Sequence, residues 1–422
     1  MQSFYLGMDI CAENTQLSFF NQQTKEPESI CQLNTVDTYL LPNVAFFGEE
    51  SGRWYIGSDA LEHRFHQKGT MLEHVVEKLS GTDRMTFHEE TYTYEDVLLL
   101  ILKGHIMDFL NRYEDARIER LVVTVYEYSH ALFRVLHLLQ DELKLYDDHF
   151  FIIGHTSAYL HFVFQQAESL RNNSVGLFDY CSDGMQFYRI DISRRSKPQI
   201  VHVVHKDYRE RMGYYRIYDN KKELDERFLE IVKEVLKEAY MSSVYLTGVG
   251  FTETWAAASQ NELCNGRRVF VGQNIYTKGA CYAAYIGSNV INPNKYIVDA
   301  EDMVHCDVGV LTDEGLDSFL PIARGGCEWY NMHGKLAVIL DDSNRVELLY
   351  KNHYSQDVMR EIIEVHGLPS RPKKTTRLSL EVEMYSGTKG AVIIRDEGFG
   401  KLYPTTNKVY RKEFQLERES GE

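Results

Sequence analysis

The chain has no CxxC pair. Its seven cysteines, Cys11, Cys31, Cys181, Cys264, Cys281, Cys306 and Cys327, are scattered and odd in number. This argues against a zinc ribbon or a disulfide framework and fits a reducing compartment. Basic residues are in deficit. Lys plus Arg is 46 against 62 for Asp plus Glu, a formal net charge of −16. No broad nucleic-acid or anionic-membrane partner is expected from such a balance. Long apolar runs are also missing. The most apolar stretch, residues 97–110, is broken by Lys103, His105 and Asp108 and is too short to span a bilayer. Residues 1–10 lack the basic and apolar regions of a signal peptide, so a cytoplasmic location is expected. The sixteen histidines form no HExxH spacing, and no G-x-S-x-G marks a nucleophile elbow.

The hydrophobic content of 44% and aromatic content of 12% can fill ordinary cores, and 422 residues are enough for two or three domains. Residues 4–9 form an apolar run ending in Asp9, and residues 16–20 supply a strand to pair with it. Residues 175–179 form a second such run ending in Asp179, followed by a strand at 186–192. Runs at 121–126 and 150–153 read as buried strands, with helices expected at 95–113, 131–143 and 156–170. Residues 222–240 carry Leu224, Phe228, Ile231, Val235 and Ala239 on one helical stripe. Beyond about residue 292 the pattern becomes short alternating strands separated by turn clusters, at 335–340, 346–350, 377–384 and 391–395. That spacing predicts a separate antiparallel β-sandwich.

The two Asp-ended runs align on each other. Asp9, Cys11 and Gln16 fall on Asp179, Cys181 and Gln186, and Ala12-Glu13 falls on Ser182-Asp183. The repeat predicts a duplicated lobe, each half opening with a hairpin whose turn, at Glu13-Asn14 or Asp183-Gly184, faces a shared cleft.

Taken in order, these segments resemble the actin and DnaK ATPase superfamily in its chaperone branch. Leu6-Gly7-Met8-Asp9 and Val175-Gly176-Leu177-Phe178-Asp179 resemble its two phosphate strands. Leu41-Pro42-Asn43-Val44-Ala45-Phe46 with Ile56-Gly57-Ser58-Asp59-Ala60 is similar to its P-S-x-V-x-F … V-G-x-x-A stretch. Val122-Val123-Thr124-Val125 resembles V-I-T-V-P, and Leu246-Thr247-Gly248-Val249-Gly250 resembles the adenosine loop. Gly279-Ala280-Cys281-Tyr282-Ala283-Ala284 resembles the closing helix, and His366-Gly367-Leu368-Pro369 with the following hairpin resembles the peptide-binding β-domain. Too little chain follows Glu413 here for a helical lid.

The resemblance implies an α/β two-lobed domain at 1–291, with lobe I at about 1–170 and lobe II at about 171–291. The adenosine-clamp subdomain is reduced, since residues 193–220 leave no room for it. An all-β sandwich at 292–422 comes next, with a protein or extended peptide as its partner. The resemblance also implies a cleft at Gly7, Asp9, Cys11, Asp179, Cys181, Gly248 and Gly250, and ATP or ADP with Mg or another divalent cation as the cofactor that such a cleft would hold.

The departures count against hydrolysis. Cys11, Ala12 and Glu13 stand where the family has a glycine and two threonines. Cys181, Ser182, Asp183 and Gly184 replace three glycines and a threonine. Glycines let backbone N–H groups approach phosphate, whereas an added carboxylate about 5 Å from a phosphate charge costs roughly 3 kcal/mol at an effective dielectric of about 20. His155 stands at the catalytic-Glu position, and Glu77 or Lys78 at the cleft lysine. The expectation is a pseudo-ATPase acting as a scaffold or ligand sensor. The alternatives are an ATP-binding chaperone and a sugar-kinase-like phosphotransferase. Asp9, Glu13, Asp179 and Asp183 are the candidate cation ligands. Of the remaining polar features, Arg371, Lys373, Lys374 and Arg377 read as a solvated turn, with a patch for an acidic partner as the alternative, and Tyr214, Tyr215, Tyr245 and Tyr276 fit an interaction surface and ordinary core or rim positions equally well.

Overall fold

Strand β1 (Gln2–Ile10) is apolar enough to be buried over its second half, and β2 (Asn14–Asn21) folds back along it with Asp9 opposite Gln16. Two short strands, β3 (Glu26–Ser29) and β4 (Leu41–Pro42), add to β2. Next come β5 (Ala45–Gly48), β6 (Arg53–Ile56) and β7 (Gly69–Leu72) as a three-stranded sheet, helix α1 (Gly57–His63), and a hairpin of β8 (Arg84–Phe87) and β9 (Glu90–Thr93). Thr93 and Asp96 form a capping box that starts α2 (Tyr94–Leu110). Strand β10 (Ala116–Val125) lies parallel to β1, and β11 (Phe150–Gly154) lies parallel to β10. Between them α3 (His130–Glu142) buries Leu132, Val135, Leu136 and Leu139. Helix α4 (His155–Gln165) follows β11 directly.

The pattern then repeats. Strands β12 (Ser174–Cys181) and β13 (Gly184–Ser193) pair antiparallel with Asp179 opposite Gln186, and β14 (Gln199–Asp207) lies beyond β13. Helix α5 (Lys221–Glu238) precedes β15 (Met241–Thr247), which runs parallel to β12. Helix α6 (Ala257–Cys264), parallel strand β16 (Arg268–Val271) and helix α7 (Ile275–Ile286) complete the half. The sheet orders β11-β10-β1-β2-β3 and β16-β15-β12-β13-β14 correspond strand for strand.

The computed structural model describes residues 2–31, 39–214, 220–312, 319–341, 344–355 and 357–417. It divides into residues 1–191 with 204–291, and residues 192–203 with 292–422. The segment 192–203, expected inside the second lobe, is thus part of the second unit. The reason is a strand pairing: Gln199–His202 lie in register with Tyr296–Asp299, the strand β17. Within the second unit, β18 (Cys306–Leu311), β19 (Phe319–Ala323), β21 (Arg345–Asn352) and β22 (Val358–Glu364) form one sheet. Strands β20 (His333–Leu340), β23 (Thr376–Met384), β24 (Lys389–Asp396) and β25 (Val409–Gln415) form another. Val308, Leu348, Leu380 and Ile394 from the two sheets share one core. No described helix is long and apolar enough to cross a membrane.

Four further expectations are corrected. Helix α4 ends at Gln165, and Glu168–Arg171 is a separate 3-10 turn. The second hairpin turns at Ser182-Asp183, closed by the Cys181–Gly184 pair, not at Asp183-Gly184. The first turns at the matching Ala12-Glu13, with Cys11 N–H donating to the Asn14 carbonyl at 2.9 Å. Arg371 is not solvated: its side chain is 3% exposed and forks onto Asp396 at 2.8 and 2.9 Å.

Candidate functional site

The first unit holds a cavity of about 360 Å³ whose walls come from both hairpin tips and from the starts of α4 and α7. Its two halves are built alike. In each, an Asp ends the leading strand beside a Gln across the hairpin and a Thr on the parallel strand: Asp9, Gln16 and Thr124, then Asp179, Gln186 and Thr247. The last helix of each half then offers a ring to its own Asp. His155, first residue of α4, places Nε2 2.8 Å from Asp9 Oδ1. Tyr276, in the first turn of α7, donates its hydroxyl to Asp179 Oδ2 at 2.9 Å. The two rings stack, with centroids 3.8 Å apart and planes at 13°. A continuous bridge, Asp9–His155–Tyr276–Asp179, therefore joins the two halves across the floor of the cavity.

Close helix packing makes this bridge possible. A Cβ on Gly279 would lie 1.8 Å from the Ala158 carbonyl, so α7 and α4 touch through their backbones. A Cβ on Gly7 would lie 2.3 Å from the Thr277 carbonyl, so α7 also rests on β1. In the other direction, Tyr159 and Phe162 of α4 place their rings against Tyr245 of β15. Each half thus lends its final helix to the sheet of the other. Gln16 donates to the Gln273 carbonyl at 3.0 Å and ties the first hairpin to the start of α7.

Burial sets the protonation chemistry. It raises the Asp179 carboxyl to about 6, with only partial relief from His155 and the Tyr276 hydroxyl. The Cys11 thiol is held well above its usual range by burial and by Asp9, to which it donates at 3.7 Å. Cys181 is raised by burial and by Asp179. Neither is a ready nucleophile, because reactivity needs the thiolate.

The structure brings Asp9, Cys11, Glu13, His155, Asp179, Cys181, Asp183 and Gly248 to one cavity. Gly248 has φ +93, and a Cβ there would lie 2.7 Å from Asp179 Oδ1, so glycine is required. Gly7 and Gly250 do not line it: Gly7 faces α7, and Gly250 packs against the Tyr180 ring. Glu77 and Lys78 are also absent from the wall, where their neighbours Val76 and Leu79 stand instead. Lys78 donates to the Glu73 carbonyl at 3.1 Å. The carboxylates Asp9, Glu13, Asp179 and Asp183 line the cavity, yet among the described residues no group of three or more His, Cys, Asp and Glu is arranged to hold a metal ion. Tyr245 and Tyr276 are buried, Tyr214 lines the cavity, and Tyr215 lies outside the described residues.

Asn43 emerges as a site-shaping residue. It accepts from Thr15 at 2.7 Å and donates to the Cys11 carbonyl at 2.8 Å, bracing the first tip. Its place in the Leu41–Phe46 resemblance gives no sign of this, since its partners lie 28 and 32 residues away.

Residues 26–299 match a family of unknown function (DUF5716) C-terminal, and residues 303–416 match a domain of unknown function (DUF8552). No curated protein matches the chain.

Proposed function

The chain belongs to the DUF5716 C-terminal family of unknown function, and from the chemistry of its cavity we propose that it is a pseudo-ATPase of actin/DnaK-like build, a non-catalytic scaffold or ligand-sensing protein. One observation carries this reading. The two strand-end carboxylates that the resemblance assigns to nucleotide chemistry are already engaged, Asp9 by His155 and Asp179 by Tyr276. A metal–phosphate group would have to share these carboxylates with two buried hydrogen bonds, each worth about 1.5–3 kcal/mol, and would lose that amount wherever it displaced one.

The hairpin tips add to that cost. Glu13 and Asp183 present carboxylates where phosphate-binding loops present backbone N–H groups. His155, bound to Asp9, has no carboxylate with which to activate water. The partner class belongs to the same proposal: a protein or extended peptide at the second unit, where β22 ends its sheet and exposes Val358 and Ile362.

Calorimetric titration with ATP and magnesium chloride, followed by a turnover assay, tests the reading. The expected result is no micromolar binding and no turnover above background. Micromolar binding accompanied by turnover overturns it.

A further inference from the structure

The same cavity has a chemical preference that its loss of phosphate chemistry does not by itself supply. Among the described residues five carboxylates line it: Asp9, Glu13, Glu127, Asp179 and Asp183. Against them, among the described residues, stands one arginine, Arg209, and its guanidinium is held by Asp207 at 2.7 Å. A second, independent observation comes from the wall itself. His155 is 5% exposed and Gln16 is 8% exposed, and both line the cavity. His155 Nδ1 and Gln16 Oε1 are buried and have no hydrogen-bond partner among the described residues. In the tautomer that carries the ring proton on Nε2, toward the Asp9 carboxylate, His155 presents Nδ1 as an acceptor. In that tautomer both orphan atoms are acceptors, and Gln16 Oε1 is one in any case, since its amide nitrogen donates to the Gln273 carbonyl. Such groups are rare in interiors and call for a donor.

Much of the remaining wall is apolar or aromatic, with Leu40, Leu79, Leu132 and the rings of Tyr126 and Tyr214, beside a few uncharged polar residues such as Asn14 and Ser129. A metal ion would leave this apolar surface unused. A volume of about 360 Å³ matches a small organic ligand, and aromatic faces favour a cation that also carries carbon.

We propose that the cavity binds a small organic cation bearing amine or guanidine groups, its N–H donors directed at Glu13, Asp183 and the buried acceptors and its carbon chain lying on the Leu and Tyr wall. The proposal rests on the reading that this is not an ATPase site, and its test separates the two.

The experiment is calorimetric titration of the full chain with agmatine and with spermidine, at low and high potassium chloride. Magnesium chloride and ATP with magnesium serve as comparators, and ATP turnover is assayed in parallel. Saturable binding of at least one organic cation is expected, weakening by about tenfold or more at high salt. Glu13→Gln and Asp183→Asn, both at exposed hairpin tips, should each weaken it about five- to tenfold. Thermal melts control for folding, and if one variant melts low the other carries the test. Three results overturn the proposal: no binding of either cation at millimolar concentration, binding unaffected by both variants, or tighter binding of magnesium that the variants abolish. Absence of cation binding without ATP turnover sinks only the cation site. Turnover alongside variant-sensitive cation binding sinks only the pseudo-ATPase reading.

Discussion

The buried Asp179 gives the chain a pH dependence whose sign can be worked out. Its carboxyl titrates at about 6 when folded, against 3.8 ordinarily. Between those values the folded state holds a proton that the unfolded chain has released, so stability falls as pH rises through that window, by about 3 kcal/mol in all. Asp179→Asn removes this contribution while keeping an acceptor for Tyr276. Its stability relative to the parent should therefore rise by about 3 kcal/mol from pH 4 to pH 7, read by urea unfolding. A difference that stays flat with pH would refute the assignment. Asp179 and Asp9 are legible in the sequence because each opens the same spacing of Cys and Gln, and the ladder register pairs each Asp with that Gln. Their ring partners are less legible: the resemblance marks His155 as a cleft residue but not as the partner of Asp9, and it marks Tyr276 not at all. His155 and Tyr276 lie 146 and 97 residues from the acids they bind, and nothing local marks the distance closed by folding. Tyr276 reads as a surface candidate because an aromatic ring with a hydroxyl suits either a rim or a buried carboxylate.

At the scale of elements, α4 and α7 have the least tolerance. Gly279→Ala places a methyl group 1.8 Å from a backbone carbonyl that has no rotamer to yield. We expect a loss of about 3 kcal/mol or more, measured by urea unfolding, and an ordinary helix-favouring gain from the same change would show that the helices do not meet there. The strands of the second unit are readable from alternation, as in β20, where every second residue is exposed. Arg371 escapes such a reading for the opposite reason. A charged residue beside Lys373 and Lys374 suggests solvent, while its partner Asp396 ends a strand 25 residues later. Burial alone would raise the Asp396 carboxyl, but the Arg371 fork and the hydrogen bonds from Thr406 and Gly398 outweigh it and hold it well below its usual range. Arg371→Ala strands that charge and should cost about 3–5 kcal/mol, seen as a lower melting temperature. The hairpin tips fall one residue away from their expected places because Asp-Gly is a strong local turn signal, and the Asp–Gln register of the longer strands overrides it.

For the whole molecule, a division near residue 292 is legible as a change in strand spacing, but nothing in residues 192–203 announces that they belong with the later unit. The ladder explains the difference. Gln199–His202 pair with Tyr296–Asp299, and His202 bonds Asp299 at 2.8 Å. A non-local parallel pairing has no signature in either segment. A fragment of residues 292–422 therefore lacks one strand of its own fold. Its amides at Tyr296–Asp299 should lose hydrogen-exchange protection relative to the full chain; equal protection would mean the pairing is dispensable.

The exchange of final helices also sets an order of events during synthesis. Gly7 and Tyr5 of β1 and Phe20 of β2 are covered by α7, through backbone contact at Thr277 and Cys281 and through the ring of Tyr285. That cover is encoded far downstream of the surface it protects: Cys281 lies 276 residues beyond the Tyr5 carbonyl it touches. At about 5–20 residues per second, the first sheet must wait on the order of ten to thirty seconds after β10 emerges before α7 leaves the ribosome. For that interval the nascent chain carries an uncovered apolar face, so a chain truncated before Ile275 would be one that the cell's own folding helpers must hold.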